Sequence, residues 1–286
     1  MASRTANTQA PKRRFAVLAA DPHVAEAIPE SACFETYRDA TPALLNDWQK
    51  IFVLVPLAGL AGLSDFLKKA NQRHRLCAVM IDRGDEFDLL PQFLHYADVR
   101  TLRNMLVHEG PTVPRRVLNA YRLGAEHDLI ADAQVVSDWL FLVTCALDAI
   151  AVPFDAVPAL RRIPPGRRRD FSVSSEGSYL HWPVDDVHLD LDSARRRTDP
   201  EWAERRKAED LLANTSIGRS IAEVRRRAQL RQTDIPGLSE RQVRRIEHGA
   251  VTTLGALKRL AAAHGTDLGG YVDRVADIQS QWAKSG

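Results

Sequence analysis

The sequence predicts a mainly α protein: an N-terminal helical bundle, a small β-hairpin or meander, and a C-terminal domain of five helices. Three observations predict it. Apolar residues recur at helical spacing through most of 43–151. A stretch after Asp170 alternates apolar and polar residues with a period of two. Caps and glycine stops divide 221–271 into helix-sized pieces. With 286 residues, 45% hydrophobic and 27% charged, the chain is long and apolar enough for two globular domains and is neither fibrous nor disordered in composition.

Residues 1–14 are polar, basic and aperiodic, and read as a disordered arm. Residues 15–158 read as the N-terminal helical domain. Within it KIFVLVPLAGLAGL is either a kinked helix or a buried strand followed by a helix, because Pro56 and two glycines interrupt it. DEFDLLPQFLHYADVRTLRNMLVHE keeps helical period until Gly110-Pro111 stops it, and Val113–Ile130 and Ala131–Ala151 read as two more helices. The apolarity of VVSDWLFLVTCALDAIAV suits a core helix or an oligomer interface, and Asp138 and Asp148 argue against a membrane span.

Prolines, a glycine and arginines make 159–170 a basic linker. Residues 171–212 then alternate around Glu176-Gly177 and Asp185-Asp186, as a β-hairpin or three-stranded meander does, before a charged helix capped by Asp199 with Pro200 at its first position. Residues 213–280 form the C-terminal domain.

Charge is divided unevenly: residues 1–155 carry a net −3 and residues 156–286 a net +5. The cluster Arg225, Arg226, Arg227, Arg231, Arg241, Arg244 and Arg245 suits phosphate neutralisation. Ser239 caps a short helix and Gln242, three residues on, completes a capping box; Gly249 ends the helix. Val243 and Ile246 face inward, which leaves Glu240, Arg241, Gln242, Arg244 and Arg245 outward. Arginine can pair with guanine, glutamine with adenine, and glutamate with cytosine in the major groove.

Leu230-x-Gln232, Gly237-Leu238-Ser239 and Arg245-Ile246-Glu247-x-Gly249 resemble the Cro/C1-type, or XRE, helix-turn-helix family over about 50 residues. The resemblance implies a homodimer on a two-fold duplex DNA operator, with Gln232 near the backbone at the start of helix 2 and Ser239 to Arg245 as the reading segment. One departure is visible. Between Leu230 and Ser239 the chain is about one helical turn shorter than the family pattern, and Pro236 sits where helix 2 would continue.

In ADVRTLRNMLVHEG, four residues separate Arg103 from His108, and Asn104 follows the arginine. This resembles the R-x4-6-H signature of HEPN domains, all-helical dimers that include metal-independent ribonucleases. The resemblance implies that His108 moves protons while Arg103 stabilises charge on a phosphorane. At i and i+5 the two side chains sit about 140° apart on an ideal helix. They converge only near a break such as Gly110-Pro111 or across a dimer axis.

A second reading of the first 100 residues is a degenerate receiver-like α/β domain with strands at Phe15–Ala20, Ile51–Val55 and Leu76–Ile81, and Asp21 at a strand end. The place of a phosphate acceptor then falls near Val55-Pro56, where there is no carboxylate. No phosphate loop, H-E-x-x-H or G-x-S-x-G occurs, so neither cofactor nor metal is expected. Cys33, Cys77 and Cys145 are odd in number, lack a CxxC pair, and read as buried free thiols.

Three functions follow as expectations. The first is a DNA-binding transcriptional regulator whose N-terminal domain dimerises or senses a signal. The second is a HEPN-type endoribonuclease of a toxin-antitoxin or phage-defence system, acting on RNA and regulating its own promoter. The third is a non-catalytic antitoxin or adaptor holding a partner protein. Each is cytoplasmic, and none involves a membrane.

Overall fold

The structure, a computed structural model, describes residues 13–84, 90–99 and 102–283. The chain forms two compact units that divide between Thr198 and Asp199.

The first unit is built on five parallel strands: β1 (Phe15–Ala19), β2 (Phe34–Tyr37), β3 (Ile51–Pro56), β4 (Leu76–Asp82) and β5 (Met105–His108), in the order β2-β1-β3-β4-β5. All five residues of β1 and the first five of β3 are buried. Such strands are covered on both faces, so they read as unbroken apolar runs. On one face α2 (Pro42–Asp47), α3 (Ser64–Gln72) and α4 (Leu90–Tyr96) bring Leu44 and Leu67 against Leu18, Val53 and Val79. On the other, α1 (Pro22–Ala25) and α5 (Thr112–Leu123) bring Val24, Val117 and Leu118 against Phe15, Phe52 and Met80.

This sheet overturns the mainly α expectation and the N-terminal helical bundle with it; the fold is α/β. The physical reason is that a run of five to seven apolar residues is equally compatible with a buried helix and a strand buried on both faces. The strands of the receiver-like reading coincide with β1, β3 and β4. The arm expected over 1–14 lies outside the described residues except for Arg13 and Arg14. These are paired with Glu126 and Glu35, each at 2.9 Å.

Ala131–Ala151, expected as a core helix, belongs instead to an antiparallel sheet of β6 (Ile130–Val136), β7 (Trp139–Thr144) and β8 (Ala149–Pro153). Ser137, at φ +52°, turns the chain between β6 and β7. Along β7, Leu140, Leu142 and Thr144 point inward while Trp139 and Phe141 are exposed. The outward aromatics hid the period of two.

A third sheet follows α6 (Pro158–Arg161) and comprises β9 (Ser172–Val173), β10 (Tyr179–Trp182) and β11 (Val187–Asp190), with α7 (Leu191–Thr198) after it. Leu140, Val152, Phe154, Leu180, Trp182 and Leu189 form one core between the two antiparallel sheets. Leu160 and Ile163 are buried in that core too, so 159–170 is packed structure rather than the extended linker expected there.

The second unit contains α8 (Pro200–Arg227), α9 (Glu240–Glu247), α10 (Leu254–Ala263) and α11 (Leu268–Ala283). The carboxylate of Asp199 caps α8 by accepting from the Trp202 amide at 2.9 Å. One continuous α8 thus joins the charged helix expected before 213 to the first helix expected after it. Ile221, Val224, Ile235, Val243, Ile246, Leu260, Tyr271 and Val275 make the core. Among the described residues, no helix is long and apolar enough to cross a membrane.

Candidate nucleic-acid interface

Helix α9 is defined at both ends by local chemistry. Ser239 Oγ accepts from the Gln242 amide at 3.2 Å, and Gln242 Oε1 accepts from the Ser239 amide at 2.8 Å. Reciprocal bonds of this kind satisfy amides that a helix start leaves bare. Val243 and Ile246 anchor the inner side, while Glu240, Arg241, Gln242, Arg244 and Arg245 are exposed. Arg241, Arg244 and Arg245 share one stripe by their spacing of three and four residues. No hydrogen bond or ion pair engages their guanidinium groups among the described residues.

The arginines of α8 behave differently. Arg225 pairs with Glu247 at 2.6 Å, Arg226 with Glu223 at 3.2 Å and Arg227 with Glu223 at 3.0 Å. The basic cluster of the sequence therefore divides into Arg225, Arg226 and Arg227, which have carboxylate partners, and Arg241, Arg244 and Arg245, for which none is present among the described residues, with Arg231 exposed between the two helices.

Glu247 is buried and also accepts from Gln232 Nε2 at 2.5 Å, while Arg225 Nη1 donates to the Leu230 carbonyl at 2.6 Å. Gln232, expected at a DNA backbone, instead has its amide nitrogen committed inside the unit. Gln242 has its amide oxygen committed to the cap, which leaves its amide nitrogen free for a base edge. Where the resemblance implies a second helix, the chain makes a single 3₁₀ turn, Gln232–Asp234. Ile235 is buried after it, and Gly237, at φ +74°, turns the chain into Ser239. Arg259 Nη1 donates to the Gly237 carbonyl at 2.5 Å and holds that turn.

Packing fixes where α9 lies against α8. An ideal Cβ on Gly218 would stand 2.9 Å from the Glu247 carbonyl oxygen and closer still to that of Ile246. Only glycine lets the two backbones approach so closely. The sequence shows Arg245-Ile246-Glu247 but not the brace that Glu247 forms with Arg225 and Gln232. Its signal is the spacing: Glu247 stands four residues after inward-facing Val243 and so falls on the buried face of α9, where a carboxylate needs a partner.

The residues weighed for ribonuclease chemistry do not converge. Arg103 is exposed on the bend before β5, and Asn104 Nδ2 donates to the Leu76 carbonyl at 2.7 Å. His108 ends the same strand. Arg103 lies on the bend and His108 at the far end of the strand, five positions on, and no helix folds them together. His108 is 6% exposed, and its Nδ1 lies 2.9 Å from the Gly110 carbonyl. A carbonyl only accepts, so Nδ1 carries the proton and Nε2, buried without a partner, is a bare acceptor. Burial holds His108 below the usual histidine range, opposed by the nearby Asp82 carboxylate.

Asp21 caps α1, accepting from the His23 amide at 2.8 Å, and β3 ends on Pro56 rather than a carboxylate. Burial also pushes the Cys77 thiol up to about 11 and the Cys145 thiol up to about 12, so neither is a nucleophile at neutral pH. No family model, curated protein or solved structure matches the chain.

Proposed function

We propose that the chain is a sequence-specific DNA-binding transcriptional regulator that reads duplex DNA as a homodimer through α9. The observation that carries this reading is the stripe of Arg241, Arg244 and Arg245. It is exposed and without a protein counter-charge among the described residues, on a helix fixed from behind by Val243 and Ile246. An unpaired guanidinium donates two parallel bonds to guanine or neutralises a phosphate, and a helix N-terminus leading into the major groove brings both targets within reach. The resemblance of 221–271 to the Cro/C1-type family supports the same docking. The 3₁₀ turn in place of a second helix changes what crosses the DNA backbone there.

The first unit serves as the sensing or dimerising part. In doubly wound sheets, ligands bind beyond the C-terminal ends of the strands where the strand order reverses, here between β1 and β3. The ribonuclease reading has no support within one chain, since Arg103 lies on the bend before β5 and His108 at the far end of the strand. A cytoplasmic location belongs to the same proposal.

The test is selection of duplexes from a random pool by the full-length chain, followed by titration of the enriched sequence. Arg241→Ala and Arg244→Ala should each weaken binding by about 5- to 150-fold, the equivalent of about 1–3 kcal/mol per lost contact. Absence of any enriched sequence, or variants that bind it as tightly as the wild type, would sink the proposal.

A further inference from the structure

The third sheet carries chemistry that DNA reading does not use. Strand pleating turns Leu180, Trp182, Val187 and Leu189 into the core and leaves Tyr179, His181, His188 and Asp190 on the opposite face. The antiparallel register places His181 directly across from His188. Their rings stack with centroids 4.1 Å apart and planes within 13°. The turn between the strands brings Asp186 back over the same face, in the left-handed region at φ +50°. One ligand atom from each of His181, Asp186 and His188 lies within 4.8 Å of the other two.

The neighbouring carboxylates are committed elsewhere. Asp185 pairs with Arg167 at 2.6 Å, and Asp190 accepts from the Ser193 amide at 2.6 Å. Among the described residues, no hydrogen bond or ion pair engages the side chains of His181, Asp186 or His188. Two imidazoles and one carboxylate therefore stand together, unclaimed by the protein, on a backbone that strand pairing holds rigid.

We propose that His181, Asp186 and His188 bind one divalent transition-metal ion of the zinc class. Metal bonds of about 2.0–2.2 Å in tetrahedral geometry set donors about 3.3 Å apart, so binding requires the two rings to leave their stacked arrangement and turn one nitrogen each toward a common point. The donor set selects the ion: imidazole nitrogen suits zinc, nickel and copper, whereas magnesium and calcium prefer an all-oxygen shell. A fourth position stays open to water. The ion would tie β10, β11 and their turn together at one point.

The experiment uses untagged, metal-stripped full-length protein titrated with Zn²⁺ by calorimetry. The expected result is one ion per chain and a rise in Tm with zinc concentration, with neither effect for Mg²⁺. His188→Ala should weaken zinc binding by at least about tenfold, since loss of outer partners alone costs about 10- to 100-fold. Asp186→Asn should do the same while keeping the turn, because asparagine tolerates positive φ. His127→Ala, an exposed histidine outside the cluster, should bind like the wild type. Replacement of zinc by Co²⁺ should give visible bands without the thiolate absorption that a cysteine site would add. Absence of uptake, wild-type uptake by both site variants, or a thiolate signature would each overturn the proposal.

Discussion

Replacing Gly218 by alanine sets two physical terms of opposite sign against each other. In the interior of an exposed helix, Gly→Ala stabilises by about 0.8–1.0 kcal/mol through propensity alone. At this position the added methyl would stand 2.9 Å from the Glu247 carbonyl oxygen and nearer to that of Ile246. Both are backbone atoms, which cannot rotate aside as a flexible side chain does. Inserting a methyl into a packed contact costs about 1–3 kcal/mol, so the net effect is about 1 kcal/mol of destabilisation. For a unit of this size that lowers Tm by about 4–8 °C.

The comparison is Gly255→Ala in α10, where the nearest atom to an added Cβ is Thr253 Oγ1 at 4.0 Å. That variant should gain about 0.4–1 kcal/mol. Thermal unfolding of the full chain, followed by helical circular dichroism, reads both. Affinity for a selected duplex should also fall in Gly218→Ala, because α9 must move to make room. A higher Tm for Gly218→Ala than for the wild type would refute the close approach of α8 and α9.

Two further outcomes test the interior. Glu247→Ala should destabilise the second unit by about 3–5 kcal/mol, because it leaves the Arg225 guanidinium buried without its partner. The double replacement Arg225→Met with Glu247→Leu should recover most of that loss in urea unfolding, and equal damage from the single and double variants would contradict it. His108 titrates below its unfolded value of 6.5, so under acid the unfolded chain binds the proton first. Stability from this group is fully present above about pH 6.5 and declines as pH falls toward the folded value. His108→Asn, which can keep a donor toward the Gly110 carbonyl, should flatten that decline. An unchanged slope would show that other groups cause it.

The parts of the molecule legible in the sequence are those set by neighbours along the chain. Ser239 with Gln242, Thr253 and Asp199 each act within three residues, and each caps the helix its spacing implies. The parallel sheet was legible only in part, as the three strands of the receiver-like reading, for the converse reason. Residues 15–19 and 51–55 are apolar on both faces because helices from distant sequence cover them, and a local pattern carries no record of that cover. In β7 the exposed Trp139 and Phe141 erased the alternation that would have announced a strand. At the candidate site, the sequence placed Arg225, Arg226 and Arg227 beside Arg241, Arg244 and Arg245 as equals. Arg226 and Arg227 have their partner Glu223 within one helical turn, but setting Arg225 apart required Glu247, 22 positions away.

The pairing of the α8 arginines bears on how salt would act on complex formation. Arg225, Arg226 and Arg227 face two carboxylates, Glu247 and Glu223, which serve as counterions tethered to the chain. A tethered counterion is not released into solution, so these three arginines together contribute a single unbalanced positive charge to the entropy of ion release. The three free cations of α9 would displace mobile ions from the duplex. Each phosphate neutralised adds about 0.9 to the slope of log affinity against log salt, so on the proposed docking three phosphate contacts from α9 would give a slope of about −2.7 per protomer. On the proposed docking, Arg241, Arg244 and Arg245 therefore carry unbalanced charge to the duplex, while Arg225, Arg226 and Arg227 before them are largely self-neutralised.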